Sequence, residues 1–295
     1  MAQEQEQPGA EIATILKEAE MRLVSGDLEG AARALEAAGE ELIDREAPGP
    51  KRHLAQLMAL LGDHRLAAGK PSGALESYRG ALSLSEGLAD DGAEPAAIRE
   101  RAFMRYRLGT AELAMGRGRE ALQRFQMGCL EIATLSGETP EDASLKRDLS
   151  ASRSMLGDAL AELGEHQAAL GEYGSAMALA IEVDGEGSQQ AAAQAYMATL
   201  YRRMAALFEK LGRPQEAIEA LQAQAGIVEG FRRVGAADPD MIKELIEAYR
   251  RLARLAPGEA RGPLAAALEA AESLPPPGDA ALVAQLRKSL EAAGG

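Results

Sequence analysis

The side chains that could do chemistry in this sequence are few and scattered. Its three histidines are His53, His64 and His166. His53 and His64 are eleven residues apart. On a helix that spacing puts them on one face but about 16 Å apart, too far to share a metal ion. His166 stands in a turn-forming stretch, GEHQ, and reads as a surface residue. The single cysteine, Cys129, follows Gly128 in an apolar stretch with no histidine nearby, so it reads as core packing rather than as a nucleophile. The pair Gly69-Lys70 has neither the upstream glycine spacing nor the following Ser or Thr of a phosphate loop, and neither G-x-G-x-x-G nor G-x-S-x-G occurs. Glutamates are plentiful, but they fall on expected solvated faces and in first helical turns, where negative charge suits the helix dipole. These residues support no catalytic centre, metal site or cofactor.

The whole chain narrows the options further. It has 295 residues, 46% of them hydrophobic, which is too apolar for disorder. Only 3% are aromatic and none is Trp, a composition that favours close-packed helices over a β-sandwich or barrel. A net charge of -14 opposes binding to a phosphate backbone, so nucleic acid is not an expected partner. No apolar run approaches the roughly 18 residues of a membrane span. The first ten residues, MAQEQEQPGA, have neither the cationic nor the apolar part of a secretory signal, and one cysteine permits no internal disulfide. The expectation is a cytoplasmic protein without a membrane partner.

The strongest signal is an internal repeat. The segments LLGDHRLAAGKPSGALESYRGAL, RLGTAELAMGRGREALQRFQMGC and MLGDALAELGEHQAALGEYGSAM align without gaps on Gly62, Gly109 and Gly157, and MAALFEKLGRPQEAIEALQ aligns on Ala205. These anchors are 47, 48 and 48 residues apart. Seven residues past each stands Gly69, Gly116, Gly164 or Gly212; twelve past, Ala74, Ala121, Ala169 or Ala217; sixteen past, Tyr78, Phe125, Tyr173 or Leu221. Degenerate copies flank them, one at Ala19 with Gly26, Ala31 and Leu35, the other at Ala253, slipping near Pro257. About six units result. Within a unit, apolar residues recur at helical spacing on both sides of the second glycine, as Leu145, Leu149, Leu156, Leu160 and Leu163 do, so each unit reads as a helical hairpin. Gly closes the first helix, Pro214 suits the first turn of the next, and Thr139-Pro140-Glu141-Asp142 reads as an N-cap followed by Pro at the first helical position.

The expected fold is all-α, an α-solenoid of stacked antiparallel hairpins. Residues 1–9, rich in Gln and Glu, form a disordered tail in this reading and residues 10–274 the array. Residues 275–295 supply a Pro-rich break and a capping helix that starts at Asp279.

The order Leu-Gly, then Gly, then Ala-Leu, then Tyr or Phe, then Ala resembles the tetratricopeptide repeat. RDLSASRSMLGDALAELGEHQAALGEYGSAMAL in particular is similar to a long form of it common in bacterial signalling proteins, whose arrays often adjoin kinase, protease or nucleotide-switch domains. The period of 47 to 48 residues, the missing Trp and the alanines at some anchors depart from the usual pattern. The resemblance implies that first helices line a concave groove and second helices form its back. Offsets of -10, -6, -3 and +1 from each anchor share one helical face. They select Arg52, Gln56, Ala59, Asp63; Arg99, Phe103, Tyr106, Thr110; and Arg147, Ala151, Ser154, Asp158. Ala195, Thr199, Arg202, Ala206 and Lys243, Glu247, Arg250, Arg254 follow.

Four of the five residues at -10 are basic, a ladder against the overall charge. With Arg202, Arg250 and Arg254, and with Phe103 and Tyr106 as a candidate aromatic anchor, it marks a partner-binding stripe. Two bland alternatives stand beside this: the bases pair with acids such as Glu94, Glu141 or Asp240 at preceding helix ends, and the aromatics are core. The carboxylate-clamp form of the family finds no match, since no Asn occupies these positions. The implied function is a noncatalytic scaffold or adaptor that binds another protein or peptide, acidic in character if the ladder faces it. The alternative is a regulatory or sensor module of a bacterial signalling system.

Overall fold

The computed structural model describes residues 8–89, 94–183, 188–275 and 279–293. Among them are thirteen α-helices, one short 3-10 turn and no strand. The helices are α1 (Pro8–Ser25), α2 (Leu28–Leu42), α3 (Pro48–Ala67), α4 (Pro71–Leu88), α5 (Pro95–Ala114), α6 (Gly118–Glu138) and α7 (Ala143–Glu162). They continue with α8 (His166–Glu182), α9 (Ser188–Lys210), α10 (Pro214–Arg233), α11 (Pro239–Leu255), α12 (Arg261–Glu272) and α13 (Ala280–Ala292). Residues 1–7, most of the expected tail, and 276–278 of the expected Pro-rich break lie outside the described residues, while positions 8 and 9 are already helical.

The turns follow the repeat. Gly26, Gly69, Gly116, Gly164 and Gly212 all have φ between 67° and 81°, a left-handed backbone that costs side-chain-bearing residues strain. At Gly69 the helix ends in a six-to-one bond, Lys70 N–H to the Arg65 carbonyl at 2.9 Å, and Arg117 repeats it onto Glu112 at 2.9 Å. One cap differs from the sequence reading. Thr139 closes α6, its hydroxyl donating to the Leu135 carbonyl at 2.9 Å, and Asp142 starts α7 by accepting from Ser144 and Leu145 N–H at 2.8 and 3.2 Å. A carboxylate that takes two orphan amides outcompetes the earlier Thr-Pro start.

The chain divides into two compact units, residues 1–163 and 164–295. In the first, each helix from α1 to α7 packs on the next, and α1 also meets α3, α3 meets α5 and α5 meets α7. In the second, α8 to α13 pack in succession. A helix that touches its hairpin partner and its neighbours along the chain is the packing of a solenoid, and the fold is all-α with stacked antiparallel hairpins. At the chain's end α13 lies on α12, with Leu286 1% exposed in a cluster with Leu264 and Ala267.

The repeat positions are complementary volumes. Ala74, Ala121, Ala169 and Ala217 are fully buried. The ring of Tyr78 lies so close to Gly62 that a Cβ there would stand 2.4 Å from it, and one on Gly109 would stand 3.0 Å from Phe125. Where the anchor gains a methyl, at Ala205, its partner shrinks to Leu221, and both are completely buried. Close packing leaves each hairpin room for bulk on one side only.

Candidate partner-binding face

In the first unit, α3, α5 and α7 present the predicted stripe. Its basic residues bridge successive first helices. Arg52 Nε on α3 pairs with Glu100 on α5 at 2.8 Å, and Arg99 Nε on α5 pairs with Asp148 on α7 at 2.5 Å, while Arg99 also donates to the Ser144 hydroxyl at 3.0 Å. The acids used are therefore not Glu94 and Glu141 at the preceding helix ends. They stand one position beyond the basic residue of the next repeat, where stacking of parallel first helices brings them within reach. Asp148 is largely buried, and burial raises its carboxyl pKa despite the opposing pull of the Arg99 guanidinium. Arg147 is exposed and makes no ion pair among the described residues.

Between these helices lies a cleft of about 320 Å³ bordered by Asp63, Tyr78, Phe103, Tyr106, Arg107 and Met155. Phe103 is half-buried, with the Arg99 guanidinium 5.7 Å from its ring centre. Tyr106 meets Phe103 edge-on at 6.2 Å and lies nearly parallel to Phe125 at 6.2 Å, but it is only 3% exposed. Phe103 thus offers contact area at the cleft, and Tyr106 is mainly the wall behind it. The Tyr78 hydroxyl donates to Asp63 at 2.7 Å, and Asp63 accepts from Arg107 Nε at 3.1 Å, which ties the α3–α4 hairpin to α5. Tyr78 is pushed well above the ordinary phenol range, first by burial and then by Asp63.

In the second unit the stripe runs along α9 and α11. Arg202 Nε stands 3.5 Å from Glu244, Lys243 pairs with Asp240 at 2.8 Å as the sequence suggested, and Arg250 pairs with Glu247 at 3.3 Å. Arg254 and Arg251 share Glu209, at 2.8 and 2.7 Å, leaving that corner with one more cation than anion. A cleft of about 270 Å³ opens between Arg202, Gln224 and the α11 residues Lys243, Glu244, Glu247 and Arg251. Tyr249 donates to Glu229 at 3.2 Å and is pushed up to about 12, by burial first and by that carboxylate next.

Some charged residues escaped the sequence reading. Arg101 and Arg105 converge on Glu131, Arg101 at 2.6 Å, and Arg105 also reaches Glu86 at 3.2 Å. Arg101 caps this cluster by donating to the Ala89 carbonyl at 2.6 Å. Arg105 is 7% exposed, so this cluster joins α4, α5 and α6 internally rather than meeting a partner. Gln224 was legible in principle: nineteen residues past each anchor stand Ala81, Gly128 and Ala176, and only here a long polar side chain. No group of three His, Cys, Asp or Glu able to hold a metal ion occurs among the described residues, and no described helix is long and apolar enough to cross a membrane.

No protein-family model and no curated protein matches the chain. Solved structures do. BtubC (BKLC) from P. vanneervenii superposes with a TM-score of 0.60 at 17% identity, over 92% of both chains. A putative kinesin light chain from Podosopora anserina with nearly identical TPR-like repeats gives 0.53 at 19% identity, over 78% of this chain and 99% of that one. The apo form of the quorum sensor NprR from B. thuringiensis gives 0.55 at 12% identity, over 94% of this chain and 68% of that one. At such identities the likeness is one of fold. The repeat anchors, the turn glycines and these superpositions agree: the chain has a tetratricopeptide-like helical-repeat fold.

Proposed function

We propose that the chain is a noncatalytic scaffold or adaptor that binds an extended segment of another protein along its first-helix stripe. The observation that carries this reading is Phe103 in the lining of the first-unit cleft, a half-exposed aromatic with the Arg99 guanidinium 5.7 Å from its ring centre. Buried aromatic and arginine anchors in a pocket are what dominate binding energy at interfaces. Exposed Arg147 and the surplus cation at Arg251, Arg254 and Glu209 favour an acidic segment. Elsewhere the ladder is balanced by carboxylates, so shape and apolar contact carry more of the recognition than net charge.

The test is capture of a partner from native lysate followed by its affinity at two salt concentrations. Phe103→Ala combined with Arg147→Glu should weaken binding at least about tenfold with the melting temperature nearly kept, because both side chains are wholly or partly exposed. Leu130→Glu, at a 68% exposed site on α6, is the control and should bind as the wild type does. Wild-type affinity in the double variant would sink the reading. A regulatory module acting beside a kinase, protease or nucleotide-switch enzyme is the runner-up, favoured if such an enzyme is what co-purifies.

A further inference from the structure

The second-unit cleft contains a buried amide with no bond to make. Gln224 on α10 is 1% exposed, and neither Oε1 nor Nε2 has a hydrogen-bond partner among the described residues. Across the cleft, Arg202 Nε is also buried and makes no hydrogen bond, its ion-pair oxygen on Glu244 lying 3.5 Å off. Both residues line the cleft, and these two donor groups and one acceptor lie just beneath its surface.

The fold does not require this side chain. Its repeat equivalents are Ala81, Gly128 and Ala176, all buried and small enough for helices to close over them. An alanine would serve packing here, whereas an unsatisfied buried carboxamide weakens the core. Stability given up at one repeat and not at its equivalents points to function.

The chemistry restricts the occupant. The cleft is about 270 Å³, far more than the roughly 30 Å³ of one water molecule. An anion would suit Arg202 but would leave Gln224 Oε1 without a donor and would face Glu244 and Glu247. A cation would leave Nε2 and Arg202 Nε unmet. An uncharged group presenting one N–H and one C=O side by side satisfies all three atoms.

We propose that the cleft between α9, α10 and α11 receives such an amide pair from a bound peptide, the Gln224 carboxamide turning up from beneath the cleft surface to hold it at two points and Arg202 Nε donating to the same carbonyl. A single trans peptide bond points its N–H and C=O in opposite directions. The pair therefore comes from an Asn or Gln side chain, or from the N–H and C=O of one residue in an extended segment. This rests on the peptide-binding reading above and adds the chemistry of a second, separate subsite.

The experiment selects a randomised displayed peptide library on the whole protein and measures the recovered peptides against Gln224→Met, which keeps length and removes both polar atoms. Gln224→Ala, the residue two equivalent positions hold, is the second variant. Gln224→Met should melt no lower than the wild type, Gln224→Ala should lose no more than its smaller volume costs, and both should bind the recovered peptides at least about tenfold more weakly. Replacing Asn or Gln in the peptide by Ala, against N-methylating its backbone, then assigns the source of the pair. Equal binding to wild type and both Gln224 variants, with loss in Phe103→Ala plus Arg147→Glu, would overturn the subsite and leave the groove reading standing. Failure to recover any peptide would overturn both. A clear drop in melting temperature in both variants would mean the amide is already satisfied by trapped water, and would overturn the subsite too.

Discussion

The clefts of the two units share a border position three residues before the anchor and have opposite chemistry. Three residues before the anchor stands Tyr106 in one and Arg202 in the other; nineteen after, Gly128 lies behind the Tyr106 ring, whereas Gln224 borders its own cleft. In the first unit the ring fills the space a side chain at Gly128 would need, and the cleft is aromatic. In the second the bulk comes from the second helix as a carboxamide, and the cleft is polar. The two volumes are not held to one sum: Ala59 with Ala81 and Ser154 with Ala176 are small at both positions, and Arg202 with Gln224 is large at both. A repeat fold can therefore vary what it recognises without changing how it stacks.

The largest effect should come from forcing one cleft to copy the other. In Gly128→Gln the new Cβ would lie 2.6 Å from the Tyr106 ring and 3.1 Å from the Ala102 carbonyl oxygen, so overpacking should cost about 3 kcal/mol or more. Thermal melting measures it. Adding Tyr106→Arg, to reproduce the second-unit pair, should recover part of the loss. No recovery would show that the two positions do not share one volume.

A middle-sized effect separates the two ladders. Arg99→Glu sets a second carboxylate against largely buried Asp148 and should cost about 1–2 kcal/mol at neutral pH, while Lys243→Glu, at a side chain 63% exposed, should stay within about 0.5 kcal/mol. The pH dependence has a definite sign. Burial holds the Asp148 carboxyl above its ordinary 3.8, so its ionised form costs stability in the folded state, most of all once Arg99 is gone. The deficit of Arg99→Glu should shrink as pH falls through that raised pKa. A deficit that is constant with pH would remove the assigned role of Asp148.

The smallest effect concerns Glu112, 3% exposed, with Arg124 no nearer than 3.8 Å and Oε2 without a hydrogen bond. Burial raises its pKa above 4.5 against the pull of Arg124. Its charge therefore costs stability at neutral pH, and the cost disappears below 4.5, where the carboxyl is protonated in both folded and unfolded chains. Glu112→Gln should stabilise by up to about 1 kcal/mol at pH 7 and converge with the wild type in acid, as melting curves against pH would record. A destabilised variant would mean that the Arg124 contact outweighs burial.

Much of this architecture is readable in the sequence because its determinants are local. A residue with positive φ costs every side chain but glycine, so Gly69, Gly116 and Gly212 announce their turns, and buried Ala and Tyr or Phe at constant offsets announce the hairpin interior. The Thr139 start failed because a competing cap stood three residues later at Asp142, and local pattern does not rank two adequate caps. Offsets from the anchors pick out Arg52 and Arg99 but not their partners: Glu100 and Asp148 are 48 and 49 residues further on. Side-chain reach between stacked helices depends on their separation and stagger, which periodicity does not contain.

From sequence alone follow the helical class, the hairpin period, the turns and the positions that must be small or aromatic, since these obey sterics acting within a few residues. Tertiary structure alone decided that Tyr106 is a wall while Phe103 is a surface, that Arg105 is buried against Glu131, and that Gln224 is enclosed with nothing to bond. Exposure and hydrogen-bond satisfaction depend on what the neighbouring helices place around a side chain, and no spacing along one helix records that.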